Sequence, residues 1–286
     1  MPHIAVSALS HPGLVRDHNE DSLVVGPWTL CGTMTEKAQT LEFPLGGPLV
    51  VAVADGIGGQ PAGEVASGLV VRLLASLGPT LDSEQAVRDA LHACNHAVYA
   101  AADRDRELAT MGTTVAGVVV LAKELLVFNV GDSRVLDVRP NGPGEGGGTS
   151  LHQVSVDDSP PLAPGRRTTS VITQALGGAP RFSRIAPHVS TAPLTTGKRY
   201  LVCTDGLTDP VPGDRLNDLL RTHDDGRAVF ELWKSAIEAG GPDNITLALV
   251  DLLQQPTPGR HIRHAGHAGS GDTSKTRRTR QNGGPA

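Results

Sequence analysis

Val50-Val51-Ala52-Val53-Ala54-Asp55-Gly56 sets small and branched apolar residues in an unbroken row and then stops at an aspartate and a glycine. A short Val-rich run bounded by a turn pair is the pattern of a buried strand. The layout returns at Leu125-Leu126-Val127-Phe128-Asn129-Val130-Gly131-Asp132 and at Tyr200-Leu201-Val202-Cys203-Thr204-Asp205-Gly206, and Asp243 stands just ahead of Ile245-Thr246-Leu247-Ala248-Leu249-Val250. Carboxylates at the ends of such strands can converge on one rim of a sheet, which is how an acidic metal-binding cluster is built. Each Asp-Gly taken singly is also an ordinary turn pair. The company these residues keep decides between the two readings.

Working outward, further strands are expected at Ile4–Ala8, Thr114–Leu121, Val135–Val138 and Ile245–Leu252, with a tight hairpin at 121–125. A helix is expected over Gly63–Leu77 on the stripe Val65, Leu69, Leu73 and Leu77. A second is expected over Ser83–Asp103 on Val87, Leu91, Cys94 and Val98, capped by Asp82 and Gln85. A third, over Arg227–Ala239, stops at Gly240-Gly241-Pro242. Strands, a helix pair, more strands and then a helix do not alternate strictly, which favours an α+β sandwich over a doubly wound parallel sheet.

A chain of 286 residues can bury a substantial core, and with 3% aromatic residues aliphatic side chains must fill it. The net charge of −5 conceals an asymmetry: from Gln254 onward six Lys and Arg stand against Asp272 alone, a tail of +5 on a body of −10. An acidic body argues against nucleic acid and suits divalent cations. Cys31, Cys94 and Cys203 form no C-x-x-C pair, so neither a disulfide framework nor a thiolate zinc site is expected. With no signal-like start and no apolar stretch of membrane-spanning length, a cytoplasmic protein without a membrane span is expected, and a monomer. Residues 1–253 are expected to form one catalytic domain and 254–286 a disordered basic tail, whose His261, His264 and His267 lack acidic or cysteine partners nearby. The Gly-rich 140–149 and Pro-rich 159–169 stretches are expected to be loosely structured.

Near the N-terminus Val15-Arg16 and Asn19-Glu20-Asp21 place an arginine beside further carboxylates. Together with Ala54-Asp55-Gly56-Ile57-Gly58-Gly59, Met111-Gly112-Thr113-Thr114, Val130-Gly131-Asp132-Ser133-Arg134, Ile172-Thr173-Gln174-Ala175-Leu176-Gly177, Thr204-Asp205-Gly206-Leu207-Thr208-Asp209 and Pro242-Asp243-Asn244-Ile245-Thr246, these segments follow one family's order across roughly Ser7–Asp251. The chain closely resembles the metal-dependent serine/threonine phosphatases of the protein phosphatase 2C family, in its bacterial form. The resemblance implies a four-layer α-β-β-α sandwich of two antiparallel sheets flanked by helices. It also implies two Mn2+ or Mg2+ ions bridged by Asp55 and a water, with the Gly56 carbonyl on one ion and Asp205 and Asp243 on the other. Glu20 and Asp21 would act through metal-held waters, and Asp132 matches a third, weaker metal position with Asp205 as co-ligand. The implied reaction is hydrolysis of phosphoserine and phosphothreonine in proteins by a metal-bridged hydroxide, opposing a bacterial Ser/Thr kinase.

Hard oxygen donors do match Mg2+ or Mn2+, and two ions about 4 Å apart can acidify a water and neutralise phosphate. Arg16 supplies a planar fork for two phosphate oxygens, against the plainer role of a surface ion pair with Asp17 or Glu20. Met111–Thr114 is expected beneath the site as packing, and Cys203 in the core. Two departures from the family stand out. Ile57 replaces a histidine of many eukaryotic members and leaves the general acid unassigned. After Val156-Asp157-Asp158-Ser159-Pro160-Pro161 the flap is short, with Arg166 and Arg167 as its charges. Two rivals are a phosphoprotein-binding pseudophosphatase and a haloacid-dehalogenase-like phosphatase; the second needs an Asp-x-Asp that neither Asp55 nor Asp205 supplies.

Overall fold

The structure is a computed structural model that describes residues 3–59, 61–140, 149–161, 169 and 171–253. The basic tail from residue 254 and most of the two loosely structured stretches lie outside them.

The strands are β1 (His3–His11), β2 (Ser22–Val25), β3 (Trp28–Cys31), β4 (Gln39–Pro44), β5 (Leu49–Ala54), β6 (Gly56–Ile57), β7 (Gly112–Thr113), β8 (Val115–Val120), β9 (Glu124–Val130), β10 (Arg134–Pro140), β11 (Thr149–Gln153), β12 (Leu176–Gly177), β13 (His188–Pro193), β14 (Arg199–Cys203) and β15 (Ile245–Leu253). The helices are α1 (Ala62–Leu77), α2 (Glu84–Ala102), α3 (Asp205–Thr208), α4 (Gly213–Thr222) and α5 (Asp225–Glu238). One antiparallel sheet runs β11-β10-β14-β15-β1-β4, the other β13-β9-β8-β5-β2-β3, and a small third sheet runs β12-β7-β6.

Three separate cores define four layers. Val51, Val53 and Val118 meet Val6, Val202 and Val250 between the two large sheets. Val50, Ala52 and Leu126 turn the other way and pack under Val70, Leu74 and Leu91 of α1 and α2. Leu201 and Leu249 pack under Leu216, Val229 and Leu232 of α4 and α5. Successive side chains of a strand point to opposite faces, so a strand covered on both faces must be apolar throughout. All six residues of β5 are buried, for that reason.

Local expectations held with adjustments. The β8–β9 hairpin closes at Leu121, whose N–H donates to the Glu124 carbonyl at 2.9 Å. The second helix is capped by Ser83, whose hydroxyl accepts from Ala86 N at 3.3 Å, and not by Asp82 with Gln85. In α1 the fully buried face is Ala66, Val70 and Leu74; the stripe Val65, Leu69, Leu73 and Leu77 is only partly buried. Small residues let α1 lie close to the sheet, so the largest side chains flank the contact.

Alternation of direction fixes where the site lies. Strands β5, β9, β14 and β1 run toward one rim, and β2, β10 and β15 leave from it, as the pairs Ala54 with Ser22, Cys203 with Arg134 and Ile245 with His11 require. The turns that join them carry Asp21, Asp55, Asp132, Asp205 and Asp243.

Candidate metal and phosphate site

Asp55 is the best anchored of these residues. Its carbonyl accepts from Thr113 Oγ1 at 2.7 Å and Thr114 N at 2.9 Å, and its own N–H donates to Thr114 Oγ1 at 3.3 Å. Thr114 Oγ1 lies 2.7 Å from Ser133 Oγ, beside Asp132. The Met111–Thr114 segment therefore lies beneath the site as a clamp. Gly56 continues the turn where a Cβ would stand 2.5 Å from the Gly63 carbonyl and 2.6 Å from that of Glu20, so only glycine fits.

The N-terminal segment is held from across the site. Thr204 Oγ1 donates to Asp21 Oδ2 at 2.9 Å. Asn244 accepts from Glu20 N and donates to the Pro12 and His18 carbonyls at 2.8, 3.0 and 2.8 Å. Arg16 Nη2 donates to Asp243 Oδ2 at 2.8 Å, with both side chains well exposed. Among the described residues its ion pair is with neither of the expected surface alternatives, Asp17 and Glu20, but crosses to the turn at Asp243.

The carboxylates crowd together away from water. Burial, followed by Asp21, Asp205, Asp243 and Asp132, pushes Asp55 well above the usual carboxylate range. Burial raises Asp21 to about 7, against the hydrogen bonds from Thr246 and Thr204. Burial and then Asp205 raise Asp132 to about 7. Asp205 is raised by burial and Asp243, while a hydrogen bond shared with Asp55 opposes the shift. Glu20 is raised by burial, with Arg16 opposing. Cys203 is a buried core thiol pushed up to about 12, no nucleophile.

Buried like charges call for a counter-cation. Among the described residues Asp21 Oδ1 and Asp132 Oδ1 are buried without a hydrogen-bond partner, free lone pairs that an ion or its waters would engage. Every donor is oxygen, which suits Mg2+ or Mn2+. Among the described residues no group of three His, Cys, Asp and Glu side chains is arranged to hold an ion unaided. A centre here would need donors besides these side chains, such as backbone carbonyls and water.

A thermal consequence follows. The folded pKa values of Asp21 and Asp132, about 7, exceed their ordinary 3.8, so between these limits the folded chain holds protons that the unfolded chain releases. In chelator the melting temperature is expected to fall as pH rises from about 5 to about 8. Mn2+ should raise it by several degrees, and more at the higher pH. Differential scanning fluorimetry checks this; a rise with pH in chelator would refute the crowding.

Sequence reasoning did not find Thr204 and Asn244 as braces, nor Asp158, whose Oδ2 accepts from Gly131 N at 2.9 Å and Gln174 Nε2 at 2.8 Å while Oδ1 lies 2.9 Å from His188 Nε2. Asp158 thus ties the Asp132 turn to the segment at Thr173 and Gln174.

Residues 41–254 match the family model described as protein phosphatase 2C, and the chain belongs to that family, whose members are metal-dependent serine/threonine phosphatases. Among curated relatives, the serine/threonine protein phosphatase PstP of Mycobacterium tuberculosis is 31% identical over 262 residues, covering 86% of this chain and 45% of PstP. The chain thus spans about half the length of that relative, at 45%. Protein phosphatase PhpP of Streptococcus pneumoniae is 29% identical over 229 residues, covering 73% of this chain and 88% of PhpP. The crystal structure of PstP superposes with a TM-score of 0.70 at 30% identity, covering 88% of this chain and all of that one (100%). The PstP catalytic domain in complex with two manganese ions gives 0.69 at 30% identity, covering 89% and 100%. The architecture expected from the resemblance, two antiparallel sheets with helices, is the one found. Among the described residues no helix is long and apolar enough to cross a membrane.

Proposed function

We propose that this chain is a metal-dependent protein phosphatase that hydrolyses phosphoserine and phosphothreonine, in opposition to a Ser/Thr kinase. The observation that carries it is the rim on which Asp21, Asp55, Asp132 and Asp205 lie away from water and raise one another's pKa, with Arg16 paired to Asp243 on the same rim. Asp55 and the Gly56 carbonyl would hold one Mn2+ or Mg2+, and Asp55, Asp205 and Asp243 the other. Glu20 and Asp21 would position waters, and Asp132 with Asp205 would offer a weaker third position. Bound there, the ions would supply Lewis acidity that lowers the pKa of water and neutralises phosphate charge.

The protein's own part is orientation. Thr113 and Thr114 fix Asp55, Thr204 fixes Asp21, and Asn244 fixes the loop that carries Glu20. Arg16, about half exposed, is placed to exchange Asp243 for two oxygens of an entering phosphate. A lysine offers a point charge where a fork is needed, so Arg16→Lys is expected to lower kcat/KM by about tenfold or more. Steady-state kinetics on a phosphothreonine peptide would reveal it, and an unchanged value would remove Arg16 from phosphate binding.

Phosphate release from that peptide with Mn2+, with Mg2+ and with chelator tests the whole reading. Release with either metal and none in chelator is expected. Peptide binding without release at saturating Mn2+ would instead establish a phosphoprotein-binding module.

A further inference from the structure

Beside the acidic rim lies a cleft of about 420 Å³. Its floor is the small sheet: Gly177 of β12 lines it with Ile57 of β6, the residue that directly follows Asp55 and Gly56. One wall is Thr173–Ala175 and the other Ser183–Ile185. The cleft is a braced feature. Gln174 Nε2 donates to Asp158 Oδ2 at 2.8 Å and to the Ala186 carbonyl at 3.2 Å, joining the two walls. Asn95, buried on α2, donates to the Ser183 carbonyl at 2.9 Å and accepts from Gly177 N at 2.9 Å, joining wall to floor.

Its charge is opposite to that of the surrounding body. Among the described residues that line the cleft none is acidic, and Arg184 is the cation. Arg184 is exposed and makes no hydrogen bond or ion pair among the described residues. Asp158, which braces Gln174 of the wall, is already engaged by Gly131, Gln174 and His188. An extended peptide with its phosphorylated residue at the rim would lay a flanking side chain here. A volume of this size is in the range of ligand pockets.

Resting on the phosphatase reading of the adjoining rim, we propose that this cleft is the subsite for a residue flanking the phosphorylated one, and that Arg184 selects an acidic side chain there. The occupant is an acidic phosphopeptide segment, for an exposed cation with no partner among the described residues is what this cleft offers on an otherwise acidic body.

The test uses the full chain with Mn2+ and phosphothreonine peptides in which Glu or Ala is placed, one position at a time, on either side of the phosphorylated residue. At one flanking position at least, Glu is expected to exceed Ala in kcat/KM by about fivefold, the upper range for an exposed charge pair. In Arg184→Glu that ratio should fall to about one or below. Arg181→Glu, a neighbouring exposed charge that does not line the cleft, should leave the ratio standing. Absence of a Glu preference at every position, a preference untouched by Arg184→Glu, or an equal loss in Arg181→Glu would each overturn the proposal, the last by exposing a long-range field. Binding of the labelled peptides, measured in parallel by fluorescence anisotropy, reads the same ratio without turnover. A wild type that bound with the Glu preference but released no phosphate would sink the phosphatase reading and leave the subsite standing.

Discussion

Asp55→Asn is expected to lower metal-dependent phosphate release on the order of a thousandfold, yet to yield a protein that melts higher than wild type in chelator. Asp55 lies at the centre of the acidic rim, raised by burial and by four other aspartates. An amide of the same shape removes the charge that cannot be paired without an ion. Its Nδ2 can also donate in the hydrogen bond that the Asp55 and Asp205 carboxyls now share. The backbone bonds from Thr113 and Thr114 do not involve the side chain and should persist. Phosphate release with Mn2+ and thermal melting in chelator measure the two halves separately. Retained turnover would remove the two-metal assignment; a lower melting point would show that the repulsion is not a cost in the metal-free chain.

Gly206→Ala is expected to fail differently, in stability and in turnover together. A Cβ at Gly206 would stand 1.9 Å from the Asn244 carbonyl oxygen and 2.9 Å from its carbon. These are backbone atoms, which cannot swing aside as a side chain can. The turn that carries Asp205 must then separate from the turn that carries Asp243. Overpacking of this kind costs about 3 kcal/mol, a fall of roughly 6 to 12 °C for a domain of this size. A displacement of about 1 Å at a reacting centre costs on the order of a hundredfold in rate. Denaturation and kinetics on the same preparation decide it. An unshifted melting point would mean that the two turns are not packed as described.

The two sheets were legible because strands covered on both faces must be continuous apolar runs, as in β5, β8, β9, β14 and β15. Two of the strands that sequence reasoning missed tell the converse. Gln39–Pro44 is half exposed along its length and His188–Pro193 nearly so, and each lies at a sheet edge, where one face and one row of backbone groups meet water. Their composition resembles a loop. Helix α4 was hidden in the same way: it buries only Leu216, Leu219 and Leu220 in a polar segment.

In the candidate site, the aspartates were visible because each interrupts an apolar run, and Arg16 because a motif surrounds it. The braces were not. Asn244 acts on Glu20, Thr204 on Asp21, and Asp158 on Gly131 and Gln174, and nothing local in the sequence marks a hydrogen bond whose partner lies far along the chain. The cleft at Arg184 joins Ile57 to a stretch between Ile172 and Ile185, again a pairing of segments far apart in the chain.

The pairing of β1 with β15, which sets His3 against Leu253 and His11 against Ile245, has a consequence in time. The longest strand pair in the molecule joins segments more than two hundred residues apart, a high-contact-order closure that folding reaches slowly. During synthesis the loop with Arg16, Glu20 and Asp21 leaves the ribosome early and must wait for the turn at Asp243. Until then no nascent chain can assemble the site.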